Sequence, residues 1–574
     1  MKAASRSKVP LIRLLTRHMK RAERMTQVAE TWKSKQKNVS SLGAISRYAL
    51  IAVLVMIGLN CAMVLSLQVF PNHDGPMFTY LARVTQDLLS GGKEYGRYYA
   101  LKSYITPYAF NTYALVALNY LFDPIVSEKV YTCLLVGLFL GGFYVLSRSV
   151  SPSAGAAGLL AAPFVLHKLV FLGFQNFSAA AGMSLFLCAF WCVHYGSWRW
   201  WKTGIFAAAL ALVSITHPVG ILVTGLFLGV HTSILALRYL AQSREPWTAR
   251  TKNVLLQLRL QAFLLFLCLL PVILIGRFTP VESSDSLVLN VSYWAQQLEK
   301  LILLGPIAAF QTWYYAAPQA IMVFAAGALL WSALREKQWT SPEAINGLTC
   351  LLMSVILTVF YMVSPGIVAR AAYFDQKFPI LALVFFLVAA AWNRASIKWH
   401  LAVGAAACAV GLLVLGYQTI QCRQMNVELA DVLNAPTLPP GSVGALSFEG
   451  PRLISHRSFS PMIHGGAYYF IRSHAVLINV PYWIDHPFLL QYPIDPEKST
   501  LAKPPAAVGI RVQTSEALNA WLIQNQQQHL DFLLQAQSQS DYNAAQTRKI
   551  AEQQGLIEKP WSSGYFHLFV PDSR

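Results

Sequence analysis

QVFPNHDGPMFTY, residues 68–80, closes the first long apolar run of the chain and places an aspartate, Asp74, between His73 and Gly75, where a hydrophobic segment should leave a membrane. Outward from this stretch the same pattern recurs. The chain of 574 residues is 55% hydrophobic and only 12% charged, with a mean hydropathy of +0.44. Its apolar runs reach about 18 residues or more and are separated by short basic loops. This excludes a soluble globular enzyme and specifies a polytopic α-helical membrane protein. A window of about 19 residues predicts about eleven spans, near 48–69, 125–147, 155–172, 177–197, 203–217, 218–237, 260–277, 317–334, 344–363, 377–393 and 399–418. The segment GPIAAFQTWYYAAPQA (305–320) leaves room for a re-entrant piece.

Charge orients these spans. Residues 1–47 hold twelve Lys and Arg against Glu23 and Glu30, so +10 of the total net charge of +19 precedes the first span. By the positive-inside rule this basic N-terminal segment is cytoplasmic, and PLIRLLTRHMKRAERM (10–25) reads as a basic amphipathic helix resting on anionic lipid rather than a presequence or nucleic-acid arm. Arg148, Arg199, Lys202, the run from Arg238 to Arg259, Arg335, Lys337, Arg394 and Lys398 then fall on the same side. An odd number of spans places residues 419–574 outside. Of eight cysteines only Cys422 lies beyond the predicted spans, and none sits in a paired C-x-x-C motif, so they read as small buried hydrophobes.

Residues 419–574 change character, with eleven basic residues against twelve acidic ones and many glutamines. GSVGALSFEG (441–450), LDFLLQA (530–536) and YFHLFVP (565–571) read as strands and SDYNAAQTRKIAEQQG (540–555) as a helix, which predicts an extracytoplasmic α/β domain. In the loop 70–124, GPMFTYLARVTQDLLSGG (75–92) and ITPYAFNTYALVALNYLF (105–122) predict two amphipathic helices lying along the outer membrane face. The division is thus a basic segment 1–47, a transmembrane domain 48–418 and an outer domain 419–574.

A basic cytoplasmic N-terminus, an acid directly after the first span, a first outer loop of two surface helices, about eleven spans and an outer C-terminal domain together resemble the GT-C superfamily of membrane glycosyltransferases, which includes protein mannosyltransferases and lipid A aminoarabinose transferases. The resemblance covers roughly residues 45–418 and rests on layout plus one short motif. It implies a sugar donor carried on a polyprenyl phosphate, a glycan, lipid or protein acceptor, a place in a bacterial inner or plasma membrane within cell-envelope or polysaccharide assembly, and Asp74 as catalytic base. The chain departs from the paired-acid form of many members, since no second carboxylate follows before Asp87.

The residues suit that chemistry. An acceptor hydroxyl attacking an anomeric carbon must lose its proton, and a carboxylate at the membrane boundary can take it. Gly75 and Pro76 break the span there; the competing reading is that Asp74 only caps the helix beginning at Pro76. His73 can assist, as can His217 in the SITHPVG turn, but one Asp and one His are too few ligands for a divalent ion, so neither metal nor cofactor is expected. A departing phosphate needs cations in a site of low dielectric. Lys168, beside His167 and across a turn from Asn176, and Arg370 and Lys377 flanking Asp375 fill that role. Arg97 and Lys102, among Tyr95, Tyr98, Tyr99, Tyr104 and Tyr108, form a further substrate-binding or interfacial patch. His456, His464, His474 and His486 cluster in the outer domain without metal-ligand spacing and read as a wet loop region or, alternatively, as a surface over the membrane site that helps select the acceptor. The alternative functions are a membrane transporter, against which the lack of repeats counts, and a non-catalytic GT-C-like scaffold. No Walker or G-x-S-x-G motif is present, and no nucleic-acid partner is implied.

Overall fold

The computed structural model describes residues 40–92, 94–101, 108–195, 197, 199–242, 263, 266, 291–335, 341–365, 367–368, 371–392, 397–448, 462–477, 490–491, 530–536, 541–559 and 566–572. The basic helix at 10–25, the span at 260–277, Lys102 and Arg370 lie outside these residues. Among the described residues seven helices are long and apolar enough to cross a membrane: Arg47–Ser66, Pro124–Val150, Gln175–His194, Pro218–Gln242, Trp313–Arg335, Pro342–Val363 and Trp399–Asn434. Shorter apolar segments at Ala157–Phe171, Trp200–Thr216 and Lys377–Ala390 pack among them. Leu54, Leu65, Phe324, Trp331 and Leu413 stand exposed on the bundle, as a lipid-facing surface requires.

The helices begin where the sequence supplies caps. Asp123 accepts the Ile125 N–H at 2.9 Å ahead of Pro124, and Ser341 accepts the Ala344 N–H at 3.1 Å ahead of Pro342. Two spans differ from expectation. The stretch 155–172 is not one helix but two 3₁₀ pieces, Pro152–Leu159 and Ala162–Phe164, followed by the short α-helix Lys168–Phe171. Pro163 lacks an amide donor, and Gly158 packs against Tyr144, where a Cβ would come within 2.6 Å of the ring. The last span runs on to Asn434 rather than ending near 418, so Cys422 is buried within it.

Small residues set the closest helix contact. Gly142 and Gly182 let Pro124–Val150 and Gln175–His194 approach so that a Cβ on Gly142 would lie 2.8 Å from the Gly182 carbonyl oxygen. In the first loop the predicted helices form as Gly75–Leu89 and Ala109–Asn119. The first is buried along most of its length rather than laid open on a membrane surface, because the C-terminal domain covers it. A continuous apolar core runs from Met77, Tyr80 and Val84 of this helix into Tyr468, Phe470 and Leu533 of that domain.

The C-terminal domain contains a mixed five-stranded sheet in the order Val476–Leu477, Val443–Phe448, Phe532–Ala536, Phe566–Pro571, Leu556–Glu558. The first three strands are parallel and the last two add antiparallel, with the helix Asp541–Gln553 preceding the Leu556–Glu558 edge strand. All three strands and the helix read from the sequence are present.

A Cβ on Gly182 would sit 2.8 Å from that of Leu138, whereas one on Gly137 meets nothing within 4 Å. Gly182→Ala should therefore cost about 1–3 kcal/mol and lower the thermal unfolding midpoint in detergent, while Gly137→Ala should not. Equal midpoints would show that the helix contact is looser than drawn.

Candidate functional site

After the first span the chain turns through Asn72, whose side chain works in two directions. Its Oδ1 accepts the Gly75 N–H, and its Nδ2 donates to Glu128 Oε1 at 2.7 Å. Asn72 thus supplies the capping bond at the start of Gly75–Leu89, and Asp74, at the N-cap position, makes no side-chain cap bond. Gly75 has no room for a side chain, since a Cβ would strike the Asn72 amide and the Glu128 carboxylate. From the opposite direction the His73 N–H bonds the Phe171 carbonyl at 2.8 Å. Gly173, at φ +80°, presses so close that a Cβ would lie 2.7–2.9 Å from the Asp74 N, Cα and Cβ atoms. Asp74 is left 8% exposed. Burial pushes its carboxyl up to about 6, against the pull of the neighbouring His73.

Two imidazoles face the same Asp74 oxygen. His73 Nε2 is 3.7 Å from Oδ1 and His464 Nε2 is 3.4 Å from it, the two rings meeting edge to face at 5.4 Å. His464 belongs to the short helix Met462–Gly465 of the C-terminal domain, and its burial holds the imidazole down at about 3, uncharged at neutral pH. Of the two readings of the histidine cluster, a wet loop does not fit His464, which is 5% exposed.

Glu128 was not singled out in the sequence. It is 1% exposed, with Asn72 Nδ2, Thr79 Oγ1 at 2.8 Å and Tyr468 Oη at 2.9 Å donating to its two oxygens. Its neighbour Lys129 donates to the Leu67 carbonyl at 2.8 Å beyond the end of the first span. The available signal was an adjacent acid and base one turn into an apolar run, where ionised groups are costly and seldom idle.

A second polar cluster gathers around Asp375. Gln297 Nε2 donates to its Oδ2 at 3.3 Å and is itself held through Oε1 by Tyr361 Oη at 2.7 Å. Burial raises the Asp375 carboxyl, opposed by hydrogen bonds from the Gln376 backbone and Gln297 and by the charge of Lys300. Lys168 and Lys377 both lie within its electrostatic reach. The Lys168 ammonium donates to the Gly305 carbonyl at 3.4 Å, and that of Lys377 stands 5.3 Å over the Phe174 ring. The turn at 173–174 therefore touches Asp74 with one residue and Lys377 with the next. Directly after it, the Gln175 amide and Asn176 Oδ1 are buried with no hydrogen-bond partner among the described residues, at the N-terminus of Gln175–His194.

The other predicted residues lie apart from Asp74. His167 accepts the Leu169 N–H at 3.2 Å and packs on Phe139, which makes it a helix cap. His217 likewise accepts the Val219 N–H at 3.1 Å, its ring between Tyr108 and Phe177 and in the field of Lys377. Arg97 is exposed and lines a separate surface cleft of about 580 Å³ with Leu88, Gly92 and Tyr99. Tyr95 and Tyr99 serve neither sugar stacking nor membrane anchoring in this fold; both are buried, and Tyr99 Oη donates to the Leu477 carbonyl of the C-terminal domain.

No protein-family model and no curated protein sequence matches the chain. Solved structures do: ArnT from Cupriavidus metallidurans in the apo state has 12% identity and a TM-score of 0.50, covering 92% of this chain and 98% of that one. The same protein bound to undecaprenyl phosphate has 13% identity and a TM-score of 0.51 over 91% and 98% of the two chains. The chain thus shares the fold of these ArnT structures.

Asn72→Ala removes both the acceptor for Gly75 and a donor to buried Glu128. The expected loss is about 1–3 kcal/mol, with Tyr468→Phe costing less because it deletes one bond of three. Unfolding midpoints of the purified variants check this, and an unchanged Asn72→Ala midpoint would refute the assigned network.

Proposed function

We propose that the protein moves a sugar from a polyprenyl-phosphate donor to a hydroxyl of a glycan, lipid or protein acceptor at the extracytoplasmic face of the membrane, with Asp74 as general base. The observation that carries this reading is the placement of Asp74: buried, free of a capping duty, and pinned against a turn whose next residue lies under Lys377. The fold likeness supports it, since one ArnT structure is bound to undecaprenyl phosphate.

The chemistry is a single displacement. The acceptor oxygen forms a bond to the anomeric carbon while the bond from that carbon to the phosphate oxygen breaks, the electron pair leaving with the phosphate. The acceptor proton passes to the Asp74 carboxylate. One displacement inverts the anomeric configuration. Lys168 and Lys377 meet the charge that develops on the phosphate in a poorly solvated site, the role for which the sequence also offers Arg370. The buried Gln175 Nε2, without a partner among the described residues, and the adjacent helix N-terminus add donors suited to phosphate oxygens. The carboxylate of Asp375 exerts its field on both lysines.

Two measurements separate base from phosphate site. Undecaprenyl phosphate added to the purified protein should raise its thermal midpoint, and Lys168→Met with Lys377→Met should remove that rise. Asp74→Asn should keep it while abolishing the change in surface glycans, read by mass spectrometry, that the wild-type chain produces in cells. Retained lipid binding in the double lysine variant would overturn the phosphate assignment. A glycan change that persists in Asp74→Asn would overturn the base and favour a transporter or a scaffold.

A further inference from the structure

His73, Asp74 and His464 bring two imidazole nitrogens and a carboxylate oxygen within 4.8 Å of one another, and all three side chains are buried or half-buried. Their spacing is poorly suited to direct contact. A charge-assisted N–H···O bond closes to about 2.7–2.9 Å, whereas the two imidazoles stop 3.4 and 3.7 Å from Asp74 Oδ1. Donor atoms about 2.0–2.1 Å from a tetrahedral zinc ion stand about 3.3 Å apart, close to both distances. The ligand types agree as well: imidazole nitrogen with one carboxylate oxygen is a borderline donor set that selects zinc and its transition-series neighbours over calcium or magnesium.

We propose that His73, Asp74 and His464 form a binding site for one zinc-type divalent ion, with at least one coordination position open. The fold holds the three in place independently of an ion. His73 is tied by its backbone to Phe171, Asp74 is wedged on Gly173, and the His464 helix packs against Gly75–Leu89. A cation there compensates the charge of a carboxylate that is only 8% exposed. The ion joins the C-terminal domain to the membrane domain at the residue on which the transfer reading depends. Resting on that reading, the open position takes the acceptor hydroxyl and makes its proton easier to remove, while the second Asp74 oxygen remains to receive it. The departing phosphate is left to the lysines.

The test uses the full-length protein, purified in detergent, stripped by a chelator and titrated with zinc chloride in a calorimeter. One equivalent should bind to the wild type. His464→Ala and His73→Ala should each abolish it, and His474→Ala, a histidine of the same domain engaged instead with Arg83 and Glu94, should leave it intact. If the His464 variant does not fold, X-ray absorption on the zinc-loaded wild type counts the ligands without any substitution, and two imidazoles with oxygen neighbours are expected. Failure of the wild type to bind zinc, survival of binding in both histidine variants, or a shell without imidazole overturns the site. The outcomes separate from those of the transfer reading: sugar transfer by protein that cannot bind zinc sinks the ion alone, and zinc binding without any transfer sinks only the chemistry.

Discussion

The satisfaction of one buried carboxylate organises this molecule. Glu128 sits near the start of a membrane span, where an ion without partners costs several kcal/mol even after the surroundings relax. Its donors come from three separate segments: Asn72 of the connection after the first span, Thr79 of the first-loop helix and Tyr468 of the C-terminal domain. None of the three lies on the helix that carries the acid. The requirement that Glu128 be solvated therefore closes the loop and the domain onto the bundle, and the consequences reach Asp74 through Asn72 and Gly75, and His464 through its proximity in sequence to Tyr468.

Glycines decide how near the other half of the site can come. Without Gly173 in its left-handed conformation the 171–174 turn could not rest on the Asp74 backbone, and the Lys377 ammonium over Phe174 would lie farther from the acid. The proposed base and the proposed phosphate cluster are thus two separately built groups sharing a single hinge of contact. Each has its own polar support, Glu128 and Asn72 for the first and Asp375 with Gln297 for the second.

What was legible in the sequence follows the range of the forces involved. Spans are written in local composition, and hydropathy located the seven long apolar helices of the described residues. It failed at 155–172 because an apolar window is blind to whether Pro163 and the neighbouring glycines allow one continuous helix. Asp74 was readable because a carboxylate in an apolar boundary is conspicuous in one dimension. That it is not the cap could be learned only from Asn72, which takes that task in the folded chain. His464 and Glu128 were hidden for a tertiary reason: each gains its meaning from a partner 340–390 residues or at least 49 residues away, and no local pattern encodes such a meeting. The tyrosines around 95–99 were misread for the same cause, since an aromatic at a membrane interface and one under a folded domain have the same composition.

The dependence of the site on Tyr468 and His464 also imposes an order in time. A ribosome delivers the first span and Asp74 long before residues 462–477 exist, and chains generally fold from the N-terminus as they emerge. During that interval the membrane helices can be fully inserted while Glu128 still lacks a donor and Asp74 lacks its second imidazole. On the proposed reading the site is complete only once the C-terminal domain docks, so a polypeptide cut short before residue 462 keeps its membrane helices without the donor and the imidazole that the domain supplies.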